Sequence, residues 1–214
     1  MTVPPRDPPA FTTTRITARG DPAEVARRHR EYGAGLRGSP GFDLLVTVRV
    51  AGPQDTYATF VRWRRARDLL AGAHADGSAD ALRSLHALAA PDADPEPDQY
   101  LSVGRLPDRR HDDGGFLLLL HADLAGVPAE FEQSFGALVA GCARAPGFAG
   151  AELLRSTLRP YRYRGLVWWW DEQSCGRATD GERFREGSAR LTGTERVDME
   201  RGRCVARVTA PMAR

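Results

Sequence analysis

The side chains best able to do chemistry recur in matched pairs. Tyr57 and Tyr163 each stand six residues before a tryptophan, Trp63 and Trp169. An even separation along a strand puts both rings of a pair on one face. A tyrosine there can donate a hydrogen bond or relay a proton. A tryptophan supplies an apolar wall and one N–H. The alternative for each is plain core packing. Arg49 and Arg155 form a third pair. Facing inward, such an arginine would grip a phenolate or carboxylate with a fork of permanent donors. Facing outward, it would be a solvated strand residue. His29 is the titratable residue of most interest, since imidazole loses its proton near pH ~6.5 and can act as a base at neutral pH. His121 is a second candidate. His74, His86 and His111 fall in helical or linker stretches.

These pairs belong to an internal repeat. With an offset of 106, Pro22-Ala-Glu24 falls on Pro128-Ala-Glu130, Pro40-Gly-Phe42 on Pro146-Gly-Phe148, Arg49 on Arg155, Tyr57 on Tyr163, Val61 on Val167 and Trp63 on Trp169. Twelve of the 44 positions from Pro22 to Arg65 are identical without a gap, and rare residue types carry much of the match. The period is that of a duplicated domain, too long for a solenoid repeat.

Each copy predicts the same elements. A first strand covers Phe11–Ala18 or Phe116–Asp123. A helix follows, with the apolar face Val25, His29, Tyr32, Leu36 in copy one and Phe131, Phe135, Leu138, Cys142 in copy two. Asp21-Pro22 supplies an N-cap and a first-turn proline, and Gly38-Ser-Pro-Gly41 ends the helix. A hairpin comes next, Phe42–Val50 with Thr56–Trp63, and Ala151–Ser156 with Tyr163–Trp170. Helical stretches (Ala66–Ala73 and Asp80–Leu88; Gly181–Leu191) precede a last strand, Tyr100–Leu106 or Arg203–Thr209. The order β-α-β-β-α-β is ferredoxin-like. Pro91–Asp98 reads as a loop. The expected organisation is a Pro-rich arm at 1–10, a first repeat at 11–107, a linker at 108–115 and a second repeat at 116–214. In the triplet Trp168–Trp170, alternation sends Trp169 to one face and its neighbours to the other, so one face can line a pocket and the other an interface.

Composition sets bounds. All 30 basic residues are arginine, set against 28 acidic ones, and the net charge of +2 gives no ground for a nucleic-acid partner. A hydrophobic content of 42% suits a packed core. No apolar run reaches the ~18 residues that span a bilayer, and the N-terminus lacks a leader's apolar stretch. The three cysteines, Cys142, Cys175 and Cys204, show no metal spacing and read as reduced thiols of a cytoplasmic protein. No phosphate-binding, dinucleotide or zinc motif occurs, so no cofactor is expected.

A ferredoxin-like unit with Pro-Gly-Phe after its first helix and Trp ending its third strand resembles the antibiotic biosynthesis monooxygenase family of the dimeric α+β barrel superfamily. The likeness runs from Pro-Gly-Phe42 to Phe60-Val-Arg-Trp63, and again from Pro-Gly-Phe148 to Leu166-Val-Trp-Trp169. It implies two fused copies whose strands form a pseudo-dimeric barrel within one chain, as a monomer or a further homodimer. It also implies cofactor-independent oxygenation of an aromatic polyketide-like small molecule, with polyketide cyclisation, a non-catalytic binding role and heme degradation through His86 as the alternatives. The best-known polyketide members of that family place Asn four residues before the strand-end Trp. Here Thr59 and Gly165 hold those places, and the chain has no Asn. The resemblance implies Trp63 and Thr59 as catalytic residues, with copy one favoured, and side-chain chemistry adds His29 and Tyr57 to them. Trp169, Tyr163, Arg49, Arg155 and His121 are left to bind substrate.

Overall fold

The computed structural model describes residues 7–73, 82–83, 85, 87–90, 98–107, 115–192 and 196–211. The elements run β1 (Ala10–Thr17), α1 (Pro22–Leu36), β2 (Phe42–Val50), β3 (Thr56–Trp63), α2 (Ala66–Ala73) and β4 (Asp98–Pro107). After them come β5 (Phe116–Asp123), α3 (Pro128–Cys142), β6 (Phe148–Ser156), β7 (Arg162–Trp169), α4 (Glu172–Thr179), α5 (Glu182–Thr192) and β8 (Arg196–Thr209). The fold is α+β, two ferredoxin-like repeats with eight antiparallel strands. Residues 80, 81, 84 and 86 of the helical stretch expected at Asp80–Leu88, most of the loop at Pro91–Asp98, and all of the linker at 108–115 except Gly115 lie outside the described residues. The segment Gly181–Leu191 was expected as the only helix between the last two strands. The structure has α4 as well, at the exact offset of α2. Asp171 starts it by accepting the Ser174 backbone N–H at 2.7 Å.

The chain divides into two compact units. Unit 1 holds Met1–Thr47, Gly52–Leu101 and Val205–Arg214, and unit 2 holds Val48–Ala51 and Ser102–Cys204. In unit 1 the strands run β4-β1-β3-β2, and the end of β8 lies beside β2, where Ala210 N–H donates to the Asp43 carbonyl at 2.8 Å. In unit 2 the rest of β8 pairs β5, followed by β7, β6 and the rest of β4. β2, β4 and β8 each contribute residues to both units.

The Pro-Gly-Phe motif has one physical explanation in both repeats. Gly41 and Gly147 sit at φ of 76° and 85°, where a side chain is strained. A Cβ on Gly41 would overlap the Asp68 side chain in α2, and one on Gly147 would overlap Ser174 in α4. The same glycines accept a hydrogen bond from the residue after each tryptophan, Arg64 to Gly41 at 2.8 Å and Trp170 to Gly147 at 2.9 Å. The phenylalanine that follows then meets the tryptophan edge-on. Ring centroids lie 6.1 Å apart for Phe42–Trp63 and 5.7 Å apart for Phe148–Trp169.

Either Gly41→Ala or Gly147→Ala should therefore lose about 2–4 kcal/mol, combining left-handed strain with overpacking. Urea unfolding of the two variants measures this, and an unchanged midpoint in both would refute the account.

Candidate functional site

The helix-facing side of each sheet is where the two repeats part. In unit 2 it is one continuous apolar cluster. Phe116, Leu118, Leu120 and Ala122 of β5 and Tyr163, Val167 and Trp169 of β7 pack against Phe131, Phe135, Leu138 and Cys142 of α3. In unit 1 the same side breaks into two clusters. One gathers Ala10, Leu36, Phe42, Leu45, Val61, Trp63 and Leu69, with half-buried Tyr32 against it. The other gathers Ile16, Ala18, Val25 and Tyr57.

Polar side chains occupy the break. Strand register pairs Thr12 with Val61, Thr14 with Thr59, and Ile16 with Tyr57, so all six share the helix-facing side. Thr47 Oγ1 lies 3.2 Å from Thr59 Oγ1, both buried, which extends the row to β2. The row Thr14–Thr59–Thr47 thus crosses three strands. Unit 2 has Leu120, Gly165 and Leu153 in a row of the same register. Above Gly165 sits Phe135, so close that a Cβ on Gly165 would lie 2.6 Å from its Cε2. Unit 1 has His29 at the helix position of Phe135 and a full Thr59 side chain at that of Gly165. Thr12, Thr14 and Tyr32 remain half-buried there, whereas the matching Leu118, Leu120 and Leu138 are buried.

His29 is 2% exposed. Its Nδ1 lies 2.7 Å from the Val25 carbonyl, which can only accept, so Nδ1 carries the proton and Nε2 the lone pair. Burial holds the imidazole below its ordinary pKa, opposed by that hydrogen bond. The ring stacks on Tyr57 at 6.4 Å between centroids. Burial also raises the Tyr32 phenol. The arrangement offers a neutral base, a row of hydroxyls and an aromatic wall on one side of unit 1.

Four of the expected residues, His29, Tyr57, Thr59 and Trp63, are therefore on this face together. The other five do not join them. Trp169 and Tyr163 lie in the core of unit 2. Tyr163 O–H donates to Glu132 Oε1 at 2.7 Å, and burial first, then that carboxylate, pushes its pKa up. Arg155 Nε donates to the Pro160 carbonyl at 3.0 Å, which ties the β6–β7 hairpin. Arg49 is exposed near the end of β2. His121 lies on the opposite face of β5 from the helix, with Nε2 2.8 Å from Glu200 Oε2. Of the tryptophan triplet, Trp168 and Trp169 are buried and Trp170 is 44% exposed. His74, His86 and His111 lie outside the described residues, as does any heme role for His86.

Thr14, Thr47 and Tyr32 were missed as candidates. The repeat held the clue, because each stands where the other copy has leucine. The indole Nε1 atoms of Trp63 and Trp169 are both buried without a hydrogen-bond partner among the described residues. Since both copies share this, it does not by itself separate a ligand site from a packed core. Cys142 and Cys175 are free thiols that burial pushes up to about 12 and about 11, so both stay protonated at neutral pH. Among the described residues, no three His, Cys, Asp or Glu side chains group as a metal would require. No helix among them is long and apolar enough to cross a membrane.

The comparisons agree with this fold. Residues 125–190 match the family model described as antibiotic biosynthesis monooxygenase. The chain is similar to a protein of Fusobacterium nucleatum with a provisional monooxygenase name, at 9% identity and a TM-score of 0.74, covering 94% of each chain. It is also similar to an anthrone oxidase-like protein, at 13% identity and a TM-score of 0.69, covering 95% of this chain and 94% of that one. SnoaB, a cofactor-independent oxygenase from Streptomyces nogalater, aligns at 27% identity and a TM-score of 0.38, over 47% of this chain and 96% of its own. No curated protein sequence matches.

Two measurements check the geometry. Gly165→Ala should cost about 1–3 kcal/mol through overlap with Phe135. Adding Phe135→Leu should recover part of that loss, and a strictly additive double variant in urea unfolding would contradict the contact. For His29 the folded-state pKa lies below the unfolded ~6.5, so the unfolded chain binds more protons between those two values. The stabilisation from keeping the ring neutral is complete above pH ~6.5 and is lost as pH falls toward the folded-state value. Thermal melts from roughly pH 7.5 to 5.5 should show a steeper loss for the native chain than for His29→Gln. Equal slopes would show that His29 is not held neutral by the fold.

Proposed function

We propose that the chain is a cofactor-independent monooxygenase acting on an aromatic, polyketide-like phenol, with its reaction in unit 1. The observation that carries this reading is the fixed tautomer of His29. With Nδ1–H held by Val25, the Nε2 lone pair belongs to a buried, neutral base on the same side of unit 1 as the hydroxyl row.

The chemistry follows from the substrate as much as from the protein. A tricyclic phenol with a reactive ring CH₂ gives up a proton to Nε2, and the phenolate-type anion becomes electron-rich enough to reduce dioxygen. A C–O bond forms at that carbon. The O–O bond then breaks as the second C–H is lost, so CH₂ and O₂ become C=O and H₂O. Thr59, backed by Thr47 and beside Thr14, can donate to the substrate oxygen on which charge develops. Trp63, Val61 and Leu69 form an apolar wall that keeps bulk water from the anion. At pH 7 His29 is neutral, because burial disfavours the imidazolium, so Nε2 is unprotonated when a substrate arrives. The match of residues 125–190 to the antibiotic biosynthesis monooxygenase family model supports the reaction class.

Oxygen uptake with anthrone as the trial substrate tests the reading. His29→Gln should lower kcat by about 10²–10⁴-fold, the usual span of a general base. Trp63→Phe should mainly raise KM. Native protein that binds anthrone but neither takes up oxygen nor changes the product would reduce the chain to a binding protein. Ring closure of an open-chain precursor without oxygen uptake would make it a cyclase.

A further inference from the structure

The two repeats place different contents at the same spot, and their difference has a consequence for stoichiometry. In unit 2 the Phe135 ring lies over Gly165, and Leu120 and Leu153 flank that glycine on both neighbouring strands. The surrounding cluster is unbroken from Phe116 to Trp169. In unit 1 the same spot is polar and its edge is half-open at Thr12, Thr14 and Tyr32. We infer that the chain binds one aromatic ligand per two repeats, in unit 1, and that Phe135 is the residue that closes the equivalent place in unit 2.

The inference rests on the proposed ligand class but not on oxygen chemistry. Closure by Phe135 also accounts for Gly165. A hydroxyl-bearing residue there would overlap the phenyl ring, so the plug and the lost side chain belong together. The unit 2 phenol points the same way, since Tyr163 is already committed to Glu132 at 2.7 Å. Truncating the Phe135 ring should leave an apolar chamber with Trp169 on its wall, suited to a neutral aromatic and lacking a base.

Visible-absorbance titration with a dihydroxyanthraquinone, a coloured product-like probe that cannot be oxygenated further, reads the number of sites. The native chain should bind one equivalent. His29→Phe should lose that site. Phe135→Ala should bind two equivalents, and Phe135→Leu, the milder change kept in case the alanine variant fails to fold, should raise the apparent number above one. Circular dichroism confirms that each variant is folded. Two equivalents on the native chain, or a single site that survives His29→Phe, would overturn the inference and leave the proposed ligand class standing. No binding at all would overturn the ligand class and the inference with it. Binding with the expected stoichiometry but no oxygen uptake with anthrone would support the inference and count against oxygenation.

Discussion

Each repeat is held by one joint, in which a glycine carbonyl accepts the N–H that follows a tryptophan while the next phenylalanine meets that indole edge-on. The joint brings together the end of the first helix, the start of the hairpin and the second helix. It works because the glycine adopts a left-handed conformation and leaves no room for a Cβ against the second helix. The indoles in turn carry the close packing of both apolar clusters, since a buried tryptophan removes more apolar surface from water than any other side chain. The strand faces are therefore presented to the first helix in the same way in both repeats, and everything that distinguishes the copies is written on an equal frame.

On that frame, close packing forces helix and strand positions to vary together. A phenyl ring on the helix demands glycine on the strand in unit 2, while an imidazole leaves space for threonine in unit 1. Hydroxyls can be tolerated in unit 1 because they bond one another, as Thr47 and Thr59 do, and because the edge of the row stays partly open. The same burial that excludes water from His29 keeps it uncharged, and its bond to Val25 chooses the tautomer. A base is thus produced by position, not by a charged partner. It is notable that the family match falls on the repeat whose interior is filled, while the polar face belongs to the other.

Much of this was legible in the chain before folding. The 106-residue offset, the element order, the ferredoxin-like class and the paired Tyr and Trp positions all follow from identity and periodicity. Applied further, the offset would also have found α4, whose sequence lacks a strong apolar period but lies on that of α2. Arg49, Arg155 and His121 were harder. Their place in a strand is plain from the sequence, yet the face Arg155 takes depends on the irregularity near Phe148 and Gly150 in β6.

The sequence by itself determined that two similar units exist and that His29 and Thr59 stand where Phe135 and Gly165 stand in the other. Only the tertiary structure decided that Thr14, Thr47 and Thr59 form one row. Thr14 is remote in sequence from the other two, and it meets them through the antiparallel pairing of β1 with β3. It also decided the protonation of each His29 nitrogen, because a tautomer is fixed by the group that a ring nitrogen happens to face. Periodicity records which residues share a face of one element; it holds no record of which elements lie side by side.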